Sequence, residues 1–137
     1  FAFKPAFSVE EKIYFNVEGI NMAGKIDRID KLPGDEFEII DYKTGNVLDT
    51  SNIDFIDRLQ LIIYSLGFKA KYNFTARLTS WYFLRKNEKL TIELNEEDFL
   101  KGEEVIKEVS KSIISSSFER KENEFCQYCD FIEACQE

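Results

Sequence analysis

Histidine is absent from this 137-residue chain. That excludes imidazole as a general acid or base, and with it any His-ligated metal site. Cysteine is scarce: there are three, all within the last twelve residues. An odd number crowded at one end is not a disulfide framework. Long apolar runs are missing too, and none approaches the ~20 residues of a membrane span. No signal peptide opens the chain, so the expected location is intracellular, reducing and cytoplasmic, with no membrane partner. Positive charge is in short supply, with 18 Lys and Arg against 26 Asp and Glu and a net charge of -8. Affinity for nucleic acid comes mostly from Lys and Arg meeting phosphates. Work on DNA would therefore require a local cluster of basic residues, or a larger partner that supplies the grip.

What is present is enough for a core. The chain is 44% hydrophobic and 15% aromatic, with 13 Phe, so disorder is not expected. The length fits one domain over residues 1–137, ending in a cysteine-containing tail over 125–137. The chain opens on Phe1 rather than Met and is expected to be a piece of a longer protein.

The most informative stretch is Gly24–Lys43, GKIDRIDKLPGDEFEIIDYK. Two apolar runs, Ile26–Asp30 and Phe37–Lys43, each carry acids where a strand would bury side chains. Pro33-Gly34-Asp35 between them signals a turn, which makes the two runs antiparallel neighbours. Asp27 and Asp41 are then expected to face each other. Lys43, two residues on from Asp41, joins it on one face.

Around this hairpin the chain reads in order. Phe7–Val17 alternates in part and reads as a strand. A turn at Gly19 leads into a second strand from about Ile20 to Asp30, and Thr44-Gly45-Asn46 ends the third. Asp49–Asp54 offers several helix caps. Phe55–Phe68 has helical periodicity, with Phe55, Ile56, Leu59, Ile62, Ile63 and Leu66 on one apolar face. Gln60 and Tyr64, four apart, sit together at its edge. Ala76–Arg85 reads as a core strand, Asn87-Glu88 as a turn, and Lys89–Leu94 as a return strand. Asn95 caps a second helix whose first turn is acidic. Its face is expected to hold Phe99, Ile106, Val109 and Ile113, and it fades at Ser115–Ser117. Three antiparallel strands, a helix, two strands and a helix make an α/β domain with a mixed sheet.

Two carboxylates and one ammonium group on one side of a hairpin suit a hard divalent cation. Mg²⁺ or Mn²⁺ takes oxygen ligands and keeps several waters. Such an ion acidifies a bound water and stabilises charge on a phosphoryl oxygen, and Lys43 would orient the nucleophile or stabilise developing charge. The reaction this suits is phosphodiester hydrolysis. The plainer reading is that Asp27, Asp30, Asp41 and Lys43 are solvated strand ends with cross-strand ion pairs. For Gln60 and Tyr64 the plainer reading is a polar pair at a helix edge. Cys126, Cys129 and Cys135 have the C-x2-C-x5-C spacing of soft ligands for iron–sulfur or zinc. The plainer reading there is three free thiols in a packed tail.

At these residues the chain resembles the PD-(D/E)XK nuclease superfamily, in particular its RecB/AddB-type branch with a restriction-endonuclease-like core. That branch carries G-x-I-D-R-I-D, then D-Y-K-[ST], then Q-x-x-x-Y on the next helix, and finally C-x2-C-x5-C. Here they stand as Gly24–Asp30, Asp41–Thr44, Gln60 with Tyr64, and Cys126, Cys129 and Cys135. The resemblance implies that Asp27 and Asp41 bind the catalytic metal and Lys43 assists the attacking water. It implies that Gln60 and Tyr64 contact the DNA backbone or brace the site. Arg28 and Asp30 are expected to form a structural pair beside it. The cysteines would hold a [4Fe–4S] cluster in the intact protein, with a fourth thiolate that this chain lacks.

The chain departs from the pattern in a second respect. The family usually adds a Glu or His from a helix before the first strand, and no such helix is evident. The fragment alone is therefore expected to bind metal weakly and cleave poorly or not at all. The expected function is metal-dependent DNA cleavage, as the exonuclease module of a repair or recombination helicase–nuclease, with a helicase domain or subunit as partner. Two alternatives stand beside it. One is a non-catalytic module that keeps the fold for DNA binding or subunit contact. The other is a zinc-binding interaction domain built on the cysteines.

Overall fold

The computed structural model describes residues 5–46, 52–116 and 119–136. The cap candidates Asp49, Thr50 and Ser51, the expected helix end at Ser117, and Glu137 lie outside them. Five strands form one mixed sheet in the order β1-β2-β3-β4-β5. They are β1 (Ser8–Val17), β2 (Ile20–Leu32), β3 (Glu36–Lys43), β4 (Leu78–Phe83) and β5 (Glu88–Glu93). Helix α1 (Phe55–Tyr72) connects β3 to β4, and α2 (Glu96–Ile114) follows β5. A 3-10 turn at Cys126–Tyr128 and a short helix, α3 (Ile132–Gln136), end the described chain. The mixed α/β architecture is the one the sequence implies.

The first three strands are antiparallel neighbours. Glu18 and Gly19 both have positive φ, as a two-residue type I′ hairpin requires. Asn16 Oδ1 accepts from Gly19 N–H and closes that turn. Strands β3 and β4 are parallel, which demands a crossover, and α1 supplies it. Helix α1 starts at a capping box, where Asp54 and Asp57 each accept from the other's backbone N–H. Asn95 and Asp98 start α2 in the same way.

The helices bury their apolar sides against one face of the sheet. Ile13, Phe15, Ile26, Ile29, Phe37 and Ile39 meet Ile62, Leu66 and Phe68 of α1, with Phe99 and Ile106 of α2. A smaller cluster joins Leu61 to Trp81 and Phe83. Phe37 stacks within 5.1–5.4 Å of Phe68, Phe7 and Phe74, fastening the β2–β3 end of the sheet to the end of α1. Glu11 of β1 accepts from Lys71 and Tyr72 of α1. Those contacts, with that of Ser8, hold the Glu11 carboxyl below its ordinary range.

Two expected faces need correction. Ile56 is 66% exposed, because its neighbour Phe55 is the residue that turns to the core. The buried stripe of α1 runs instead through Leu61, Ile62, Ser65, Leu66 and Phe68, since the helix fills both clusters. Val109 and Ile113 are 53% and 58% exposed. The close crossing of α1 and α2 lies at Gly102, where an added Cβ would come 2.5 Å from Ile62 Cγ2. No described residue buries the last turns of α2. The first helix also runs four residues past the expected Phe68, to a left-handed Asn73 cap.

Gly67 sets the distance between α1 and β1. A Cβ there would lie 2.3 Å from Ile13 Cδ1 and 3.0 Å from the Phe15 ring, and Ile13 is fully buried. Ala gains about 1 kcal/mol of helix propensity over Gly, but overpacking a filled core costs about 1–3 kcal/mol. Gly67→Ala is therefore expected to lower stability by about 1 kcal/mol in urea denaturation. A more stable variant would show that the helix can lift off β1 freely.

Candidate active site at the carboxyl end of the third strand

Residues from three elements converge where β3 ends. The β2–β3 ladder runs from Leu32 opposite Glu36 to Arg28 opposite Ile40. One step past that last rung come Asp27 and Asp41. The half-buried Asp27 turns its carboxylate onto β3, where Oδ2 accepts from Tyr42 N–H at 2.9 Å. On the other side of Asp41, β4 places Trp81 in register. Trp81 is buried, and Asp41 itself is only 4% exposed.

Lys43 reaches back over this carboxylate. Its Nζ lies 2.7 Å from Asp41 Oδ2 and donates to Gln60 Oε1 at 2.8 Å. Gln60 Nε2 in turn donates to the Tyr64 hydroxyl at 3.1 Å. The four-residue spacing of Gln60 and Tyr64 stacks them on one side of α1. The Tyr64 ring lies over Gly24 of β2, where an added Cβ would meet it at an ordinary contact distance of 3.5 Å. The structure thus brings together Asp27, Asp41, Lys43, Gln60 and Tyr64. Arg28 and Asp30 form an ion pair at 2.7 Å, as expected.

The Lys43–Asp41 approach is a charge contact without hydrogen-bond alignment. Asp41 Oδ2 is buried and has no hydrogen-bond partner among the described residues. Burial pushes the Asp41 carboxyl above its ordinary range, the Lys43 ammonium pulls it back, and the Asp27 charge adds to the rise. A buried oxygen with an unused lone pair is costly in a folded protein and calls for an explanation.

The cysteines are not gathered in this way. All three are free, with Cys126 half-buried and Cys129 and Cys135 exposed. Asn123 N–H donates to Cys126 Sγ at 3.3 Å. Among the described residues no three His, Cys, Asp or Glu side chains are gathered as a metal ion would need. No described helix is long and apolar enough to cross a membrane.

Two contacts escaped the sequence. One is the Tyr42 N–H donated to Asp27. The other is Leu84 N–H donated to Lys43 O at 2.9 Å, which ties the β4–β5 turn to the site. Both involve backbone groups, for which no side-chain pattern gives a signal.

The elevated Asp41 pKa has a consequence for stability. The native state holds this proton more tightly than the unfolded chain, whose value is near 3.8. The contribution therefore favours folding below that value and is lost as pH rises through the native one. Asp41→Asn, which cannot ionise, is expected to be more stable than wild type at neutral pH without metal. The gain should shrink as pH falls toward 3.8. Urea titrations across that range check this, and a difference independent of pH would refute it.

Comparisons with known proteins bear on the same residues. No curated protein matches the chain. Among solved structures it is similar to the SSO0001 protein, at 20% identity and a TM-score of 0.58, covering 90% of this chain and 57% of that one. It is also similar to a protein of Eubacterium rectale named as a candidate exonuclease, at 12% identity and a TM-score of 0.57, covering 93% of this chain and 51% of that one. At such identities the likeness is one of fold. The chain spans little more than half the length of either structure. Residues 2–136 match the PD-(D/E)XK nuclease superfamily, and the chain belongs to that superfamily.

Proposed function

We propose that this chain is a divalent-cation-dependent nuclease module that hydrolyses DNA phosphodiester bonds, of the RecB/AddB type. The observation that carries the reading is the buried Asp41 Oδ2, which has the Lys43 charge 2.7 Å away but no hydrogen-bond partner among the described residues. A buried carboxylate oxygen that lacks a hydrogen bond, beside a second carboxylate, fits a hard cation. Asp27 and Asp41 would hold Mg²⁺ or Mn²⁺, with water and substrate oxygens filling the remaining positions. When bound, the ion supplies Lewis-acid stabilisation of phosphoryl charge and lowers the pKa of water.

The chain's own residues do the rest. Tyr42 N–H fixes the Asp27 carboxylate through one oxygen. Lys43 is held between Asp41 and Gln60, where its ammonium would orient an attacking water or stabilise charge on a phosphoryl oxygen. Gln60 and Tyr64 brace that lysine, and Trp81 beside Asp41 keeps bulk water from one side.

The finer identity belongs to the same proposal. The module acts as an exonuclease within a repair or recombination enzyme and works beside a helicase domain or subunit. In that intact protein Cys126, Cys129 and Cys135 would hold a [4Fe–4S] cluster with a thiolate from elsewhere. Iron and sulfide in stoichiometric amounts in the intact protein would support the cluster, and colourless zinc would replace it with the zinc reading. The other reading, a non-catalytic module that keeps the fold, draws on the net charge of -8 and on a carboxylate pair with no third acid gathered to it among the described residues.

The test is cleavage of DNA with Mg²⁺ or Mn²⁺ by the protein that carries this chain. Asp41→Asn and Lys43→Met are each expected to lower kcat at least a hundredfold, the scale of a lost transition-state contact. Undiminished cleavage by both would discard the assignment. Absence of cleavage in wild type, with DNA bound, would favour the non-catalytic reading.

Cation binding has its own readout. Mg²⁺ at 100 times its Kd is expected to stabilise wild type by about 2.7 kcal/mol. It should leave Asp41→Asn nearly unmoved in a thermal melt. Equal shifts in both proteins would place the ion elsewhere.

A further inference from the structure

We infer that the β4–β5 turn, through Arg85 and Lys86, grips the phosphate backbone of the DNA strand that enters the site. The inference rests on the nuclease reading for its substrate and goes beyond it in naming the residues that supply the grip.

Charge pairing and position together point to this turn. Eleven Lys and Arg side chains are engaged in ion pairs. Six exposed cations among the described residues make none: Lys12, Lys69, Lys111 and Lys121 are scattered, and the other two are Arg85 and Lys86. They are adjacent in sequence and sit at the carboxyl end of β4. That strand is parallel to β3, with Phe83 in register with Lys43. The turn therefore leaves the sheet at the edge where Asp41 and Lys43 lie.

Its attachment is direct. Leu84 N–H donates to Lys43 O at 2.9 Å, and Lys86 N–H donates to Phe83 O at 3.2 Å. Asn87 closes the turn with positive φ, and its side chain accepts from the Tyr82 hydroxyl. Tyr82 in turn meets Tyr42 edge-on, with ring centroids 6.0 Å apart. Two free cations are thus held on a braced turn one residue from the backbone of Lys43. A strand with one phosphate at Asp41 and Lys43 meets this turn with a neighbouring phosphate. In a chain of net charge -8, two uncompensated cations beside a carboxylate site are where a polyanion gains most.

The test is binding without cleavage. A labelled single-stranded DNA oligonucleotide is titrated with the protein in EDTA, at several salt concentrations, by fluorescence anisotropy. For single strands each phosphate contact contributes about 0.7 to the slope of log K against log salt. Arg85→Gln with Lys86→Gln is expected to lower that slope by about 1.4. Referred to 1 M salt, this is about a 25-fold loss of affinity at 0.1 M. Both residues are exposed, so the melting temperature should not change. A charge-matched control, Lys69→Gln with Lys111→Gln, removes exposed cations from the last turns of α1 and α2 and is expected to bind as wild type.

Three results would overturn the inference: no DNA binding by wild type, an unchanged slope in the turn variant, or an equal loss in the control. Binding that depends on the turn, with no metal-dependent cleavage, would uphold the grip while removing the nuclease reading.

Discussion

The organising constraint is a carboxylate that the fold desolvates without giving its buried oxygen a hydrogen bond among the described residues. Asp41 sits on the central strand of five, flanked by Trp81 and by the middle of β2, one step past the last rung of the β2–β3 ladder. A buried acid ordinarily escapes its desolvation by protonation or by pairing with hydrogen-bonded partners. Here the nearest cation, Lys43, offers charge without an aligned hydrogen bond. Its ammonium is also shared with Gln60. The arrangement is half-compensated, and a half-compensated buried charge binds a cation more readily than one already satisfied. Stability given up at one residue is the form that readiness takes.

Topology explains why the residues meet there. β3 is antiparallel to β2 on one side and parallel to β4 on the other. Side chains at the carboxyl ends of a parallel pair are left uncovered where the crossover departs, which is where open α/β sheets bind ligands. The crossover helix then returns across the sheet and delivers Gln60 to Lys43. Gly67 allows the close approach of α1 to β1, and the Phe37 cluster anchors the far end of the helix. A lift of α1 from the sheet would take Gln60 and Tyr64 away from Lys43 as a unit.

Much of this was legible in the sequence because it rests on short-range periodicity. Two-residue alternation put Asp41 and Lys43 together, and four-residue spacing paired Gln60 with Tyr64. The turn at Pro33-Gly34-Asp35 fixed the hairpin that brings Asp27 alongside. What stayed hidden depends on long-range packing or on the backbone. Ile56 is as apolar as Phe55, and only the helix's final rotation decides which of the two is buried. Val109 and Ile113 continue the apolar stripe of α2 past the contact with α1, so periodicity marked them as core when no described residue buries them. Nothing in EFEIIDYK marks Glu38 as buried, yet Ser80 and Lys89, 42 and 51 residues further along the chain, enclose it.

That last network shows how the two faces of the sheet differ. Glu38 accepts from Ser80 at 2.5 Å and from Lys89 at 2.9 Å, and Ser80 also meets Thr91 at 2.9 Å. This carboxylate is nearly as buried as Asp41, at 6% against 4%, but both its oxygens are used. Satisfied networks rigidify a sheet, and unsatisfied groups leave it open to a ligand. Two acids three residues apart on one strand therefore serve opposite ends. Burial alone would not separate them. The distinction lies in the count of hydrogen bonds that the described residues supply, and by that count Asp41, not Glu38, is the residue on which the proposed cation reading rests.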